Sequence, residues 1–137
     1  MPEKISALLV AAQGEPARTL TQALRAQSLR ASHVRTYQEA RKLLLKARPP
    51  HLLFTETALP DGTWADVLEL ARGAHAPVNV IVVSRLDDVG LYLETLERGA
   101  FDFVSSPYPA SDLDHVVRCA SADVLKRRKA QPAGNVA

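Results

Sequence analysis

Apolar runs of strand length alternate with amphipathic stretches of helical length along this chain, and no other feature constrains the fold as tightly. Ile5 to Ala11 is a near-continuous apolar run, as expected of a strand buried on both faces. Gly14, Glu15 and Pro16 open a helix with Leu20, Ala23 and Leu24 on its apolar side. Leu29 to Val34 is more polar and suits a sheet edge. Thr36 and Glu39 form a capping box for a helix that turns Ala40, Leu43 and Leu44 inward, and Pro49-Pro50 ends it. Leu52 to Thr55 reads as a third strand, and Thr63 to Asp66 caps a third helix carrying Val67, Leu68 and Leu70. Val78 to Val83 is a β-branched fourth strand ending at Ser84. Asp87 to Arg98 reads as a helix with Val89, Leu93 and Leu96 on its inward stripe, stopped by Gly99. Phe101 to Val104 is a fifth strand, and the last helix buries Leu113, Val116, Val117, Ala120 and Val124. Parallel strands need right-handed helical crossovers, so this order predicts a (βα)5 doubly wound α/β fold with a five-stranded parallel sheet.

A chain of 137 residues allows one core and not two. Its 47% hydrophobic content is that of an ordinary globular domain, and no apolar run approaches the roughly 20 residues needed to span a bilayer. Met1-Pro2-Glu3-Lys4 is not a signal peptide, so the expected location is cytoplasmic. A single cysteine, Cys119, excludes an internal disulfide and a cysteine cluster for metal, and it reads as a small core residue on the buried stripe of the last helix. The net charge of +2 arises partly from Lys126 to Lys129, read as a solvated helix end, so nucleic-acid binding is not expected of this domain. Residues 1–128 form the expected domain, and 129–137 lack periodicity and are expected to be a disordered tail.

The run from Pro50 to Gly62 carries the functional signal. An apolar strand ends on a carboxylate, Glu56, and a Leu59-Pro60-Asp61-Gly62 turn follows. A strand that delivers an acid to its C-terminal tip puts it in the ligand crevice of a parallel α/β sheet. The segment resembles the third strand of two-component response-regulator receiver domains, a flavodoxin-like fold, and the likeness runs from Ala7 to about Ala120 without a large gap. That resemblance implies signalling through protein partners. It also implies a set of site positions: two acids after the first strand to hold Mg²⁺, a phosphoacceptor Asp, a hydroxyl after the fourth strand, an aromatic switch residue, and a Lys before a Pro. The matching residues here are Ala11 and Ala12, Glu56, Ser84, Phe103, and Ser106 before Pro107. Only the hydroxyl and the aromatic ring are retained.

The substitutions have chemical consequences. Mg²⁺ takes hard oxygen ligands, and two alanines supply none from their side chains. Phosphoryl transfer depends on positioning and on neutralising charge at the equatorial oxygens, so loss of metal and lysine leaves that charge unpartnered. Glu56 is one methylene longer than Asp, a displacement of roughly 1.5 Å that costs about 10²-fold in geometry alone. No cofactor and no catalytic residue is expected. A lone Glu can be satisfied by Ser84, Ser106, backbone N–H groups, water or Arg85, and it reads either as a partial mimic of a phosphorylated residue or as a relic.

Elsewhere the chemistry is sparse. His33, His51, His75 and His115 are scattered, with no pair at i, i+4, and read as surface or loop histidines. Leu91 and Tyr92 lie beside the inward stripe of the fourth helix, on the surface that receivers use for docking and dimerisation, and are the expected interaction face. The expected function is a degenerate, phosphorylation-independent receiver acting through protein–protein contact, with a homodimer through helix 4, strand 5 and helix 5 as one form. The alternative is a conventional phospho-accepting receiver that regulates a DNA- or RNA-binding output.

Overall fold

Period-two alternation in three central strands sorts the core into two layers. In the computed structural model, which describes residues 5–12, 17–27, 29–45, 48–85, 88–105 and 110–131, the strands are β1 (Ser6–Val10), β2 (Arg30–Val34), β3 (Leu52–Glu56), β4 (Asn79–Ser84) and β5 (Asp102–Ser105). The helices are α1 (Ala17–Ala26), α2 (Tyr37–Leu44), α3 (Trp64–Arg72), α4 (Val89–Glu97) and α5 (Ala110–Ala130). All strand pairings in the main sheet are parallel, in the order β2-β1-β3-β4-β5, so the chain reverses direction across the sheet between β1 and β3. Leu9, Phe54, Ile81 and Val83 point to one face and pack against Leu20 and Leu24 of α1 and Leu113, Val117 and Val124 of α5. Leu8, Val10, Leu53, Val80 and Val82 point to the other and meet Ala40 and Leu44 of α2 and Val67 and Leu68 of α3. The predicted (βα)5 architecture is the one observed, with the polar β2 at an edge.

The helix caps follow local chemistry. Thr36 accepts from Glu39 N at 3.1 Å, and Thr63 with Asp66 forms the capping box of α3. Asp88 caps α4 by accepting Leu91 N at 3.0 Å. Gly99 follows α4 at φ 106°, the left-handed conformation that a side chain would strain. One feature has no local cause: the turn after β3 forms a short antiparallel ladder pairing Ala58–Leu59 with Gly62–Thr63, and its Asp61 accepts Tyr37 N at 2.7 Å and Gln38 N at 3.1 Å. An acid from a distant turn thus completes the N-terminus of α2, where the helix dipole favours negative charge.

Four expectations are corrected. Helix α4 is rotated from its predicted stance: Val89 and Leu93 are 70% and 52% exposed, while fully buried Thr95 and half-buried Leu91 face the core. Thr95 tolerates burial because its hydroxyl donates to Tyr92 O at 2.9 Å. Cys119 is exposed, because Val116, Val117, Ala120 and Val124 define the inner stripe of α5 and position 119 falls outside it. His51 is buried, its Nδ1 accepting Ser6 N at 3.0 Å across the base of β1 and β3. The basic helix end is docked rather than merely solvated. Arg128 donates to the carbonyls of Pro77 and Pro50 at 2.8 Å, and Arg127 bonds Asp123 and Asn79. These contacts carry α5 through Lys129 and Ala130, two residues into the expected tail; residues 132–137 lie outside those described.

Candidate functional site

The C-terminal tips of β1, β3 and β4 meet beside the reversal in strand order, where open α/β sheets bind their ligands. Here they enclose a recess of about 360 Å³ lined by Ala12, Glu56, Thr57, Ala58, Val83, Ser84 and Arg85. Glu56 ends β3, opposite Val83 of β4, and is 8% exposed. Its Oε1 accepts the backbone N–H of Ala12 at 2.7 Å, a short, charge-assisted bond across to the β1 tip. Its Oε2 lies 3.9 Å from the exposed Arg85 guanidinium. Ser84 ends β4 as a buried residue of the same recess.

Ala11 is fully buried beneath this cluster. Its backbone N donates to Val34 O at 3.0 Å, and its carbonyl accepts from His33 Nε2 at 2.7 Å. The backbone of the β1 tip is therefore tied on one side to β2, through Val34 O and the His33 ring, and on the other to the Glu56 carboxylate. The structure thus brings Ala11, Ala12, Glu56 and Ser84 together. Ser106 lies outside the described residues, as do Gln13 to Pro16. Phe103 is buried on β5, away from the recess lining, and its ring meets Tyr92 edge-on at a centroid distance of 5.8 Å. Tyr92 is 39% exposed and continuous with Val89 and Leu93, whereas Leu91 turns toward the core.

Among the described residues the donor set does not suit Mg²⁺. The ion prefers carboxylate and water oxygens in octahedral array, and the described recess lining holds one carboxylate whose oxygens already face an N–H and a guanidinium. Among the described residues no group of three His, Cys, Asp or Glu side chains could hold a metal ion. None of the described helices is long and apolar enough to cross a membrane.

Sequence reasoning did not single out the Ala12 N–H as the group that anchors Glu56, because a backbone donor leaves no trace in residue type. It also missed Asp61, whose only local signal is a Pro-Asp-Gly turn.

Comparison with known proteins agrees with this fold. The signal receiver domain of a protein described as a LuxO repressor from Vibrio parahaemolyticus superposes with a TM-score of 0.82 at 23% identity, covering 95% of this chain and 99% of that one. A response regulator receiver protein from Pseudomonas putida gives 0.73 at 22% identity, over 87% and 99%. In sequence, the chain is 30% identical to the response regulator protein PilR of Pseudomonas aeruginosa over 86 residues, 63% of this chain and 19% of PilR. It is 30% identical to LuxO of Vibrio vulnificus over 92 residues, 66% of this chain and 20% of LuxO. The aligned part covers 40% of the photosynthetic regulator RegA of Rhodovulum sulfidophilum, so the chain spans well under half the length of these relatives. Residues 8–118 match the response regulator receiver domain family, and the chain belongs to that family.

Proposed function

We propose that this receiver domain signals through protein–protein contact without accepting a phosphoryl group, its crevice being held in one state by Glu56. The observation that carries this reading is the Glu56–Ala12 bond at 2.7 Å in a recess whose described lining has a single carboxylate. A phosphoryl group needs a nucleophile free to attack and cationic partners for its oxygens. Glu56 is engaged as an acceptor, and Ala11 and Ala12 present methyl groups where acids would recruit a cation. Its carboxylate carries one charge against nearly two on a phosphorylated side chain, so it anchors the β1 tip more than it imitates a phosphate.

A domain whose crevice binds nothing differentially has no reason to shift between two states. A constant shape suits a scaffold or a constitutive association surface. Among the described residues, the exposed Val89, Tyr92 and Leu93 of α4, which packs against β5, are apolar side chains available for it, and a protein partner or a second copy is the expected occupant. Arg127 and Arg128 are hydrogen-bonded to the body of the domain, which argues against a nucleic-acid role for the helix end. Membership of the receiver family supports a signalling role, which we take to be cytoplasmic and non-catalytic.

Incubation with acetyl phosphate and Mg²⁺, followed by intact-mass measurement, is expected to give no adduct, and millimolar Mg²⁺ alone should leave Trp64 fluorescence unchanged. An adduct lost in Glu56→Gln would refute the proposal. So would a saturable Mg²⁺ response with Kd below ~1 mM, a binding free energy of at least about 4 kcal/mol.

A further inference from the structure

Charge is divided unevenly along the chain. Residues 16–55 hold eight Lys and Arg against one acid, Glu39, whereas the other residues hold nine against fourteen. The fold turns that division into opposite edges. In a parallel sheet with helical crossovers, each helix ends at the base, where the next strand begins. Arg25 in the last turn of α1, Arg30 opening β2, Arg41 and Lys42 in the last turn of α2, and Arg48 ahead of β3 therefore gather at the base of the β2 edge. All five are exposed, and Arg30 and Arg48 line one recess of about 210 Å³ with Leu43 and Pro50. None of the five forms an ion pair among the described residues, whereas Arg72, Arg98, Arg118 and Arg127 each face a carboxylate.

The opposite edge carries the opposite sign. Residues 87–102, through α4 into β5, hold five acids against the single cation Arg98. Glu94 and Glu97 are exposed on α4, and Glu94 meets Arg98 only at 3.9 Å, with both side chains about half exposed. Strands β2 and β5 are the two edges of a five-stranded sheet, roughly 19 Å apart, whereas physiological salt screens charge over about 8 Å, so the edges do not neutralise each other within one copy. Apolar exposure follows the same division. Among the described residues the exposed large hydrophobic side chains are Leu45, at the end of α2 on the basic edge, and Val89, Tyr92 and Leu93 on α4. Each face thus combines apolar surface with one sign of charge, and each is complementary to the other. A nucleic-acid strand calls for stacking rings beside the cations, and the side chain exposed here is the aliphatic Leu45. We propose that the β2 edge of one copy docks head to tail on the α4 face of a second copy, setting Arg30 and Arg48 against Glu94 and Glu97, and Leu45 against Tyr92 and Leu93. Such a contact is heterologous, so each added copy presents a fresh edge and growth does not stop at a dimer. The inference rests on the function proposed above only in taking α4 as an association surface.

The test is sedimentation of the full chain, free of Mg²⁺ and phosphodonor and with Cys119 kept reduced, at protein concentrations up to roughly 1 mM. The expected result is a mean mass that rises with concentration without a plateau at the dimer. Association should be at least ~10-fold weaker in about 1 M NaCl than in about 0.1 M, because the Debye length falls from about 10 Å to about 3 Å. Arg30→Glu with Arg48→Glu, and separately Glu94→Lys with Glu97→Lys, should each weaken association at least ~10-fold, and the chain carrying all four substitutions should regain it. The four positions are exposed, and circular dichroism checks that each variant is folded. A monomer throughout, a plateau at the dimer, indifference to salt, or no recovery in the four-fold variant overturns the proposal. Loss of association in the α4 variant alone keeps α4 as an association surface and overturns the head-to-tail contact, a result separable from the mass test for phosphorylation. A parent that stays monomeric and binds a short labelled DNA duplex through Arg30 and Arg48 assigns the edge to a polyanion, which also overturns it.

Discussion

Replacing Glu56 with alanine separates an integrated anchor from a carboxylate that the fold merely tolerates. The substitution removes the acceptor of the Ala12 N–H at 2.7 Å, a charge-assisted bond worth about 1.5–3 kcal/mol. The approach of Arg85 at 3.9 Å adds little, because that guanidinium is 67% exposed and screened, which limits it to about 0–1 kcal/mol. Opposing these, the buried carboxylate no longer pays desolvation, which trims the loss. The expected net destabilisation is about 1.5–2 kcal/mol; with a urea m-value of about 1.5 kcal/mol/M, the midpoint falls by about 1 M. Urea unfolding read by the fluorescence of Trp64, the only tryptophan and a buried one, measures this directly. Glu56→Gln should lose less, since its amide oxygen still accepts from Ala12. An unchanged or raised midpoint in the alanine variant would mean that the anchor contributes nothing and that Glu56 is strained in its recess.

On α4, Leu91→Ala should cost about 1–2 kcal/mol, whereas Val89→Ser and Leu93→Ser should change stability by less than about 0.5 kcal/mol while weakening any association through that face; thermal melts and light scattering on the three variants decide between these roles. Asn79→Ala removes hydrogen bonds to Ala120 O at 2.9 Å and Asp123 at 3.0 Å and leaves Arg127 without that acceptor, so chemical denaturation should show a loss of about 2–4 kcal/mol. Hydrogen bonds from Asn79 and then Arg127 hold the Asp123 carboxyl below its ordinary value of 3.8. A depressed folded pKa contributes stability above the ordinary value and loses it as pH falls through the folded one. The stability gap between parent and Asp123→Asn should therefore be full at neutral pH and shrink below about pH 4.

Local pattern carried most of the architecture. Runs such as Leu52 to Thr55 and Val78 to Val83 are continuous because both sheet faces are covered, and that continuity is visible without tertiary information. The caps at Thr36 and Thr63 and the stop at Gly99 are equally local, since each is a bond or a backbone angle within a few residues. That Ala11, Ala12, Glu56 and Ser84 come close together was legible once the receiver resemblance marked their positions, because a parallel sheet gathers its C-terminal strand tips. Tertiary structure decided what depends on partners distant in the chain. Helix α4 has two apolar stripes of similar periodicity, and packing buried Leu91 with Thr95 rather than Val89 with Leu93; a Thr that satisfies its own hydroxyl is indistinguishable from a surface Thr in sequence. Asp61 caps a helix more than twenty positions upstream, and Arg128 reaches carbonyls more than seventy positions upstream as well as Pro77. The partner of Glu56 is a backbone N–H, which every residue but proline carries, so only the placement of the β1 tip against β3 could select it.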